Sequence, residues 1–343
     1  MEIGILGLKQ SGKSTIFEIM TGVRSRDMYG EPCVRGVAAV PDERFDTLAL
    51  IFKPAKVTPA AIPFSDVNAG GESAWEAIRQ HLLAADGFVH IVDAFTAQEP
   101  GEAVARYRKL ADELIISDLV VVENRLTRLA KIPKASLKPE EARHAAILPK
   151  AKEMLEQGRL LRDMELTPED LHALRGFAFW TLRPELVVVN VREDNISFAD
   201  ALTESLGARV PVIGINCMLE AEIAELPASD RSAFMESMGV SEPAFELIIR
   251  TAFSLLGRIC YFTVGEDEVK AWVIPEGSTA PRAAAAIHKD FERGFIKAEV
   301  VSYDDFIKCG GTLGMAKSAG RLRLEGKEYI VQDGDIISFR FNV

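Results

Sequence analysis

Apolar residues recur along this chain with two periods. Short, nearly continuous apolar runs alternate with stretches in which apolar residues return every three or four positions, the marks of buried strands and of amphipathic helices. Glu2-Ile3-Gly4-Ile5-Leu6 predicts a strand, and Thr15-Ile16-Phe17-Glu18-Ile19-Met20 predicts a helix. Residues 36–40 predict a strand, 42–52 a helix, 61–66 a strand ending in the carboxylate of Asp66, 73–85 a helix and 87–93 a buried strand. Strands alternating with helices imply a mostly parallel sheet.

That rhythm breaks between about 107 and 175. Leu110, Leu114, Ile115, Leu119, Val122, Leu126 and Leu129 keep helical spacing through a charged stretch. Pro133 and Pro139 mark a turn, and a second helical stretch over 139–158 carries Ala142, Ala146, Leu148, Met154 and Leu155. The pattern predicts an antiparallel helical arm inserted into the α/β domain; a plain pair of surface helices suits it as well. The α/β rhythm resumes with a buried strand at 185–190 and another at 208–216, followed by helices over 218–257. From about Ile259 the order is strand, turn, strand, helix and several short strands, which suits a small ubiquitin-like β-grasp module. The division expected is a P-loop α/β domain in two parts, 1–108 and 176–257, an arm at 109–175, and a C-terminal module at 258–343.

The run between the first strand and the first helix supplies the chemistry. Residues 7–14, Gly-Leu-Lys-Gln-Ser-Gly-Lys-Ser, form a complete G-x-x-x-x-G-K-[ST] phosphate loop. A strand, a tight glycine turn and a helix N-terminus place several backbone N–H groups around a phosphate. Gly7, Lys9, Gln10, Ser11, Gly12, Lys13, Ser14 and Thr15 are therefore the candidate phosphate-binding residues. Lys13 reaches the outer phosphates of such a ligand and is the candidate catalytic residue; the Ser14 hydroxyl ligates Mg²⁺. Asp66, at a strand end, is the second candidate metal residue, acting directly or through water. The ligand implied is a nucleoside triphosphate, ATP or GTP, with Mg²⁺.

Composition narrows the setting. The 343 residues are 48% hydrophobic and 27% charged, ordinary for a globular protein. No run approaches a membrane span, and a strand beginning at the second residue predicts no secretory or transit segment. Cys33, Cys217, Cys260 and Cys309 are far apart and read as free thiols in a reducing cytosol. A net charge of −11 argues against indiscriminate nucleic-acid binding, DNA included. Within 124–138, however, Arg125, Arg128, Lys131, Lys134 and Lys138 stand with no acid among them, a local patch able to meet RNA phosphates. The chain is expected to be a monomer.

Longer runs carry a resemblance. Glu220-Ala221-Glu222-Ile223-Ala224-Glu225-Leu226, Tyr261-Phe262-Thr263, Lys270-Ala271-Trp272, Thr279-Ala280-Pro281, Asp290-Phe291-Glu292-Arg293-Gly294-Phe295-Ile296, Tyr303-Asp304-Asp305-Phe306 and the ending from Gln332-Asp333-Gly334-Asp335 to Val343 resemble the YchF-type, Obg-like ATPases of the translation-factor GTPase class. The resemblance implies a G domain, an inserted arm and a C-terminal TGS domain, and a cytosolic ATPase that associates with ribosomes. It also implies how the base is read. GTPases of the class use N-K-x-D; this chain has Asn190-Val191-Arg192-Glu193, resembling the family's N-x-x-E, which implies adenine over guanine through Asn190 and Glu193.

The chain departs from the family pattern where hydrolysis is organised. Asp66-Val67-Asn68-Ala69 puts alanine at the glycine of D-x-x-G, with Gly70 able to serve only if the loop bulges. Residues 22–36 contain no Thr to sense Mg²⁺ and the γ-phosphate. Residues 96–101 lack the family's loop histidine, and His90 reads as a core residue of its strand. Lys9-Gln10 replaces the family's Pro-Asn, losing the Asn that can help bind a monovalent cation in related enzymes; Lys9 either stabilises transition-state charge or strengthens ground-state binding. The expectation is a site that keeps nucleotide and turns it over slowly or only with a partner. A non-hydrolysing, nucleotide-gated RNA- or ribosome-binding module is the alternative.

Overall fold

The computed structural model describes residues 1–24, 31–67, 74–192, 196–240 and 242–342. Twelve strands carry the architecture among these residues: β1 Ile3–Gly7, β2 Cys33–Ala39, β3 Lys56–Thr58, β4 Ala61–Val67, β5 Gly87–Asp93, β6 Glu185–Asn190, β7 Val212–Ile215, β8 Arg258–Thr263, β9 Glu268–Pro275, β10 Phe295–Ser302, β11 Arg323–Glu325 and β12 Asp335–Phe341. They form two six-stranded sheets, ordered β2-β4-β1-β5-β6-β7 and β11-β10-β12-β8-β9-β3. The chain divides into two compact units, Met1–Gly36 with Pro63–Ile248, and Val37–Ile62 with Ile249–Val343.

In the first unit β4, β1, β5, β6 and β7 run parallel. β1, β5 and β6 are apolar almost throughout because both faces are covered. The helix Lys13–Thr21 follows β1 and buries Ile16, Phe17 and Met20. It ends where Gly22 takes φ 70° and donates its N–H to Glu18 O at 2.8 Å.

The helix Pro100–Leu129 starts well before the expected arm boundary and serves three cores, Leu110 and Leu114 packing with Leu6, Leu82, Phe88 and Trp180. Its first turns place Ala103, Tyr107 and Ala111 among Val92, Val187 and Val189 of the sheet. Farther on, Ile115, Val122 and Leu129 pack with Ile147, Leu148, Ala151 and Leu155 of the helix Pro139–Glu156. Glu123 pairs with Lys152 and Arg125 with Glu141, so the two helices run antiparallel as an arm. Buried Asp118 accepts the N–H groups of Trp180 (3.0 Å) and Thr181 (2.8 Å) and the Thr181 hydroxyl (2.7 Å), holding the returning chain. His90 is buried in β5, its Nδ1 2.9 Å from Glu185 Oε1, which makes it a core histidine.

The second unit is the β-grasp module. β8 and β9 pair antiparallel, β10 and β12 pair antiparallel, and β12 joins β8 in parallel. The helix Ala280–Ile287 packs Ala280, Ala283 and Ala284 against Tyr261, Ile274, Ala298 and Ile337. The division by sequence order grouped residues 37–62 with the N-terminal domain; apart from the ends of β2 and β4, which stay in the first sheet, they fold into this unit. The helix Glu43–Phe52 sets Phe45 against Phe262 (6.1 Å) and Phe52 against Phe306 (5.8 Å). Arg44 pairs with Asp333 at 2.8 Å, and β3 adds to the sheet edge parallel to β9.

Candidate functional site

The phosphate loop is shaped by two glycines and one strained residue. Gly7 has φ 155° and Gly12 φ 100°; Gln10 lies between them at φ 65°, in the left-handed region that glycine would favour. A Cβ on Gly7 would fall 2.6 Å from Ile91 O, and one on Gly12 would fall 2.9 Å from Asn190 Nδ2. Both positions therefore exclude any side chain, for reasons of conformation and of space. The loop turns with Ser11 N–H donating to Leu8 O at 3.3 Å, and the helix opens at Lys13 without a side-chain cap. Its first N–H groups are left for a ligand.

The charged groups of the loop meet at this helix start. Ser14 Oγ donates to Asp66 Oδ2 at 2.9 Å, and Lys13 Nζ donates to Leu8 O at 3.3 Å, folded back on its own loop. Burial lowers the Lys13 pKa, with the charge of Asp66 opposing. Burial raises that of Asp66, with the Ser14 hydrogen bond and Lys13 opposing. Asp66 is fully buried, yet its Oδ1 has no partner, and neither has the buried hydroxyl of Ser11. A buried polar atom left this way calls for an explanation; the other such atoms among the described residues are arginine nitrogens of Arg125, Arg162 and Arg258. A hydroxyl and a carboxylate oxygen side by side are hard donors that fit Mg²⁺, which takes one or two protein oxygens and fills its shell from phosphate and water. No cluster of three or more His, Cys, Asp or Glu that could cage a metal occurs among the described residues.

A cavity of about 370 Å³ adjoins the loop, lined by Gln10, Gly12 and Thr15 together with Asp93, Phe95, Thr96, Asn190, Cys217 and Met218. It lies at the carboxyl ends of β5 and β6, where parallel sheets place ligands. Asn190 braces its floor: Nδ2 donates to Ser11 O at 3.2 Å, and Oδ1 accepts Cys217 N–H at 3.3 Å. The side chain thus ties the phosphate loop to the start of the helix Cys217–Glu225, with one of its two amide hydrogens used. Burial pushes the Cys217 thiol up to about 12, with Glu220 adding to it, so the thiol is a neutral wall. The Arg192 guanidinium lies over the Phe95 ring at 5.2 Å.

Of the sequence-predicted residues, Gly7, Gln10, Ser11, Gly12, Lys13, Ser14, Thr15, Asp66 and Asn190 come together here, and Lys9 stands exposed on the loop. Glu193, the alanine at 69 with the alternative Gly70, and residues 25–30 of the Thr-less stretch 22–36 lie outside the described residues. Sequence reasoning missed Asp93, Phe95, Thr96, Cys217 and Met218. The rule that parallel strands end at the ligand would have pointed to the residues after β5 and β7.

A parallel sheet whose first strand runs into a phosphate loop, with an arm inserted between two of its strands and a β-grasp module in the same chain, defines a phosphate-loop nucleotide-binding fold of the Obg-like class. Residues 258–342 match the family YchF-GTPase_C, described as a protein of unknown function (DUF933). The chain is 37% identical to Ribosome-binding ATPase YchF of Bacillus subtilis (strain 168), over 99% of each chain. It is 33% identical to Obg-like ATPase 1 of Oryza sativa subsp. japonica, over 100% of this chain and 92% of that one. The solved YchF GTPase of Schizosaccharomyces pombe superposes with a TM-score of 0.86 at 25% identity, covering 99% of this chain and 97% of that one. The chain belongs to the YchF family. Among the described residues, no helix is long and apolar enough to cross a membrane.

Proposed function

We propose that this chain is a Mg²⁺-dependent P-loop NTPase that favours ATP over GTP, acts on or near the ribosome in the cytoplasm, and hydrolyses nucleotide slowly or only with its partner. The observation that carries the reading is the pair of unpartnered buried oxygens, Ser11 Oγ and Asp66 Oδ1, beside a helix start whose N–H groups are uncapped. Relatives named ribosome-binding ATPases support the partner and the base.

In this reading the backbone of Gly7–Ser14 cradles the phosphates. Lys13 leaves Leu8 O for the outer phosphates, and Ser14 and Asp66 hold Mg²⁺, which neutralises charge on the phosphate oxygens. The base enters the cavity beside Asn190, with Glu193 reading its edge. A site built on one hydrogen-bond pattern rejects the wrong base by up to about 10⁴-fold. Slow turnover follows from what surrounds this. A water-orienting residue or arginine finger is worth about 10³–10⁵ in rate. Residues 96–101 offer no histidine for that role. That lack also favours the second reading, a non-hydrolysing, nucleotide-gated binding module.

The exposed bases Arg128, Lys131, Lys134 and Lys138 at the arm tip are the proposed RNA contact. Single-turnover hydrolysis of bound ATP with and without ribosomes tests the reading. Slow cleavage alone and faster cleavage with ribosomes is expected. Cleavage in neither case supports the binding module, and brisk cleavage without ribosomes contradicts both.

A further inference from the structure

One wall of the cavity is held by a side chain of the long helix. Arg106 lies in the second turn of Pro100–Leu129. Its Nη1 donates to Asp93 O at 2.9 Å and to Thr96 Oγ1 at 2.7 Å, and it pairs with Asp93 Oδ2. Asp93 relays the grip: its Oδ1 accepts the N–H groups of Phe95 (3.0 Å) and Thr96 (3.3 Å), and its Oδ2 accepts the Thr96 hydroxyl. One guanidinium thus sets the turn that leaves β5. Asp93, Phe95 and Thr96 all line the 370 Å³ cavity, as Gly12 and Asn190 do.

The same helix leads to the arm. It contains no Pro or Gly from Glu102 to Leu129. About 18 Å farther along it, Asp118 holds the backbone of Trp180 and Thr181, which closes the arm. The cavity wall and the arm base are therefore fastened to one stiff element.

We infer that Arg106 is a positioning residue of the nucleotide site and the link through which occupancy of the pocket is coupled to the arm. This rests on the nucleotide reading above. The base and ribose pack against the wall that Arg106 sets, whereas the phosphates meet the Gly7–Ser14 loop, which Arg106 does not touch. A nucleotide that orders the wall then biases the long helix. By reciprocity, anything that binds the arm changes nucleotide affinity by the same factor.

The test uses the full chain and two probes, a non-hydrolysable ATP analogue and inorganic tripolyphosphate, each with Mg²⁺. Arg106→Met should lose about tenfold in affinity for the ATP analogue, the scale of one charge-assisted hydrogen bond, and nothing for tripolyphosphate. Arg106→Lys should recover part of the loss. Adding Asp93→Asn to Arg106→Met should cost little more, because the two act as a unit. Hydrogen exchange over 118–129 should slow on analogue binding in the wild type and not in Arg106→Met. Wild-type analogue affinity in Arg106→Met, or an equal loss for both probes, overturns the inference. If Arg106→Met does not fold, Thr96→Val removes one end of the clamp and carries the same comparison. A wild-type chain that binds neither probe overturns the nucleotide reading itself.

Discussion

Lys13 and Asp66 meet at the phosphate loop in surroundings that disfavour both charges. Burial lowers the lysine pKa and raises that of the aspartate, each only partly offset by the other. For Asp66 the folded pKa lies above the unfolded one. Its contribution to stability is therefore full below the unfolded carboxylate range and is lost as pH rises through the folded value. Burial disfavours the charged form of Asp66, and a metal held there would relieve that cost. Asp66→Asn should raise the ligand-free Tm at pH 7, by about 2–4 °C for each kcal/mol recovered, and flatten the change in stability on acidification. It should also remove the dependence of nucleotide binding on Mg²⁺. A lower Tm with that dependence intact would count against the assignment, as thermal melts at pH 5 and 7 and Mg²⁺ titrations would reveal. Lys13→Ala should cost about 1.5–3 kcal/mol of triphosphate binding, one charge-assisted contact; calorimetry showing equal ATP affinity would mean the loop is not used this way. Lys13 and Ser14 were legible because their spacing from Gly7 is itself the signal. Asn190 as a brace, and Cys217 as a wall, were not. Their roles depend on β6 and β7 lying side by side, which links residues 27 apart in sequence.

The helix pair over 100–156 was legible as an element because its apolar spacing persists through a polar stretch. Its starting point was not, since Ala103, Tyr107 and Ala111 keep the same period while packing on the sheet. The basic run at its tip divides in the structure. Arg125 Nη2 lies 3.2 Å from His144 Nδ1, and His144 Nε2 lies 2.9 Å from Ala173 O, so Arg125 belongs to the arm's packing. Arg128, Lys131 and Lys134 are exposed. Reversing these three to Glu should weaken co-sedimentation with ribosomes severalfold, and more so at low salt, with the melting temperature unchanged. Arg125→Glu should lower the melting temperature. Undiminished co-sedimentation of the triple variant would remove the arm tip as the contact.

Across the whole molecule, strand and helix rhythm identified both sheets but misplaced residues 37–62. The strand predicted there is β2, which does join the first sheet beside β4; the helix after it suits either unit, because alternation records period and not destination. What decides it is the fit of Phe45 and Phe52 to Phe262 and Phe306, more than two hundred residues on. The segment 258–342 that matches the family therefore lacks part of its own unit. A fragment of residues 258–343 should melt well below one supplied with a peptide of residues 37–62, since Phe262 is fully buried in the intact unit and uncovering such a ring costs about 1.5–3 kcal/mol. Indifference to the peptide in a thermal melt would contradict this. The central claim is that the loop Gly7–Ser14 holds a nucleoside triphosphate and that Asn190 and Glu193 favour adenine. Calorimetric titration of the full chain with non-hydrolysable ATP and GTP analogues in Mg²⁺ tests it most directly. The account predicts submicromolar to micromolar binding of the ATP analogue and clearly weaker binding of the GTP analogue; no binding of either, or tighter binding of the GTP analogue, would contradict it.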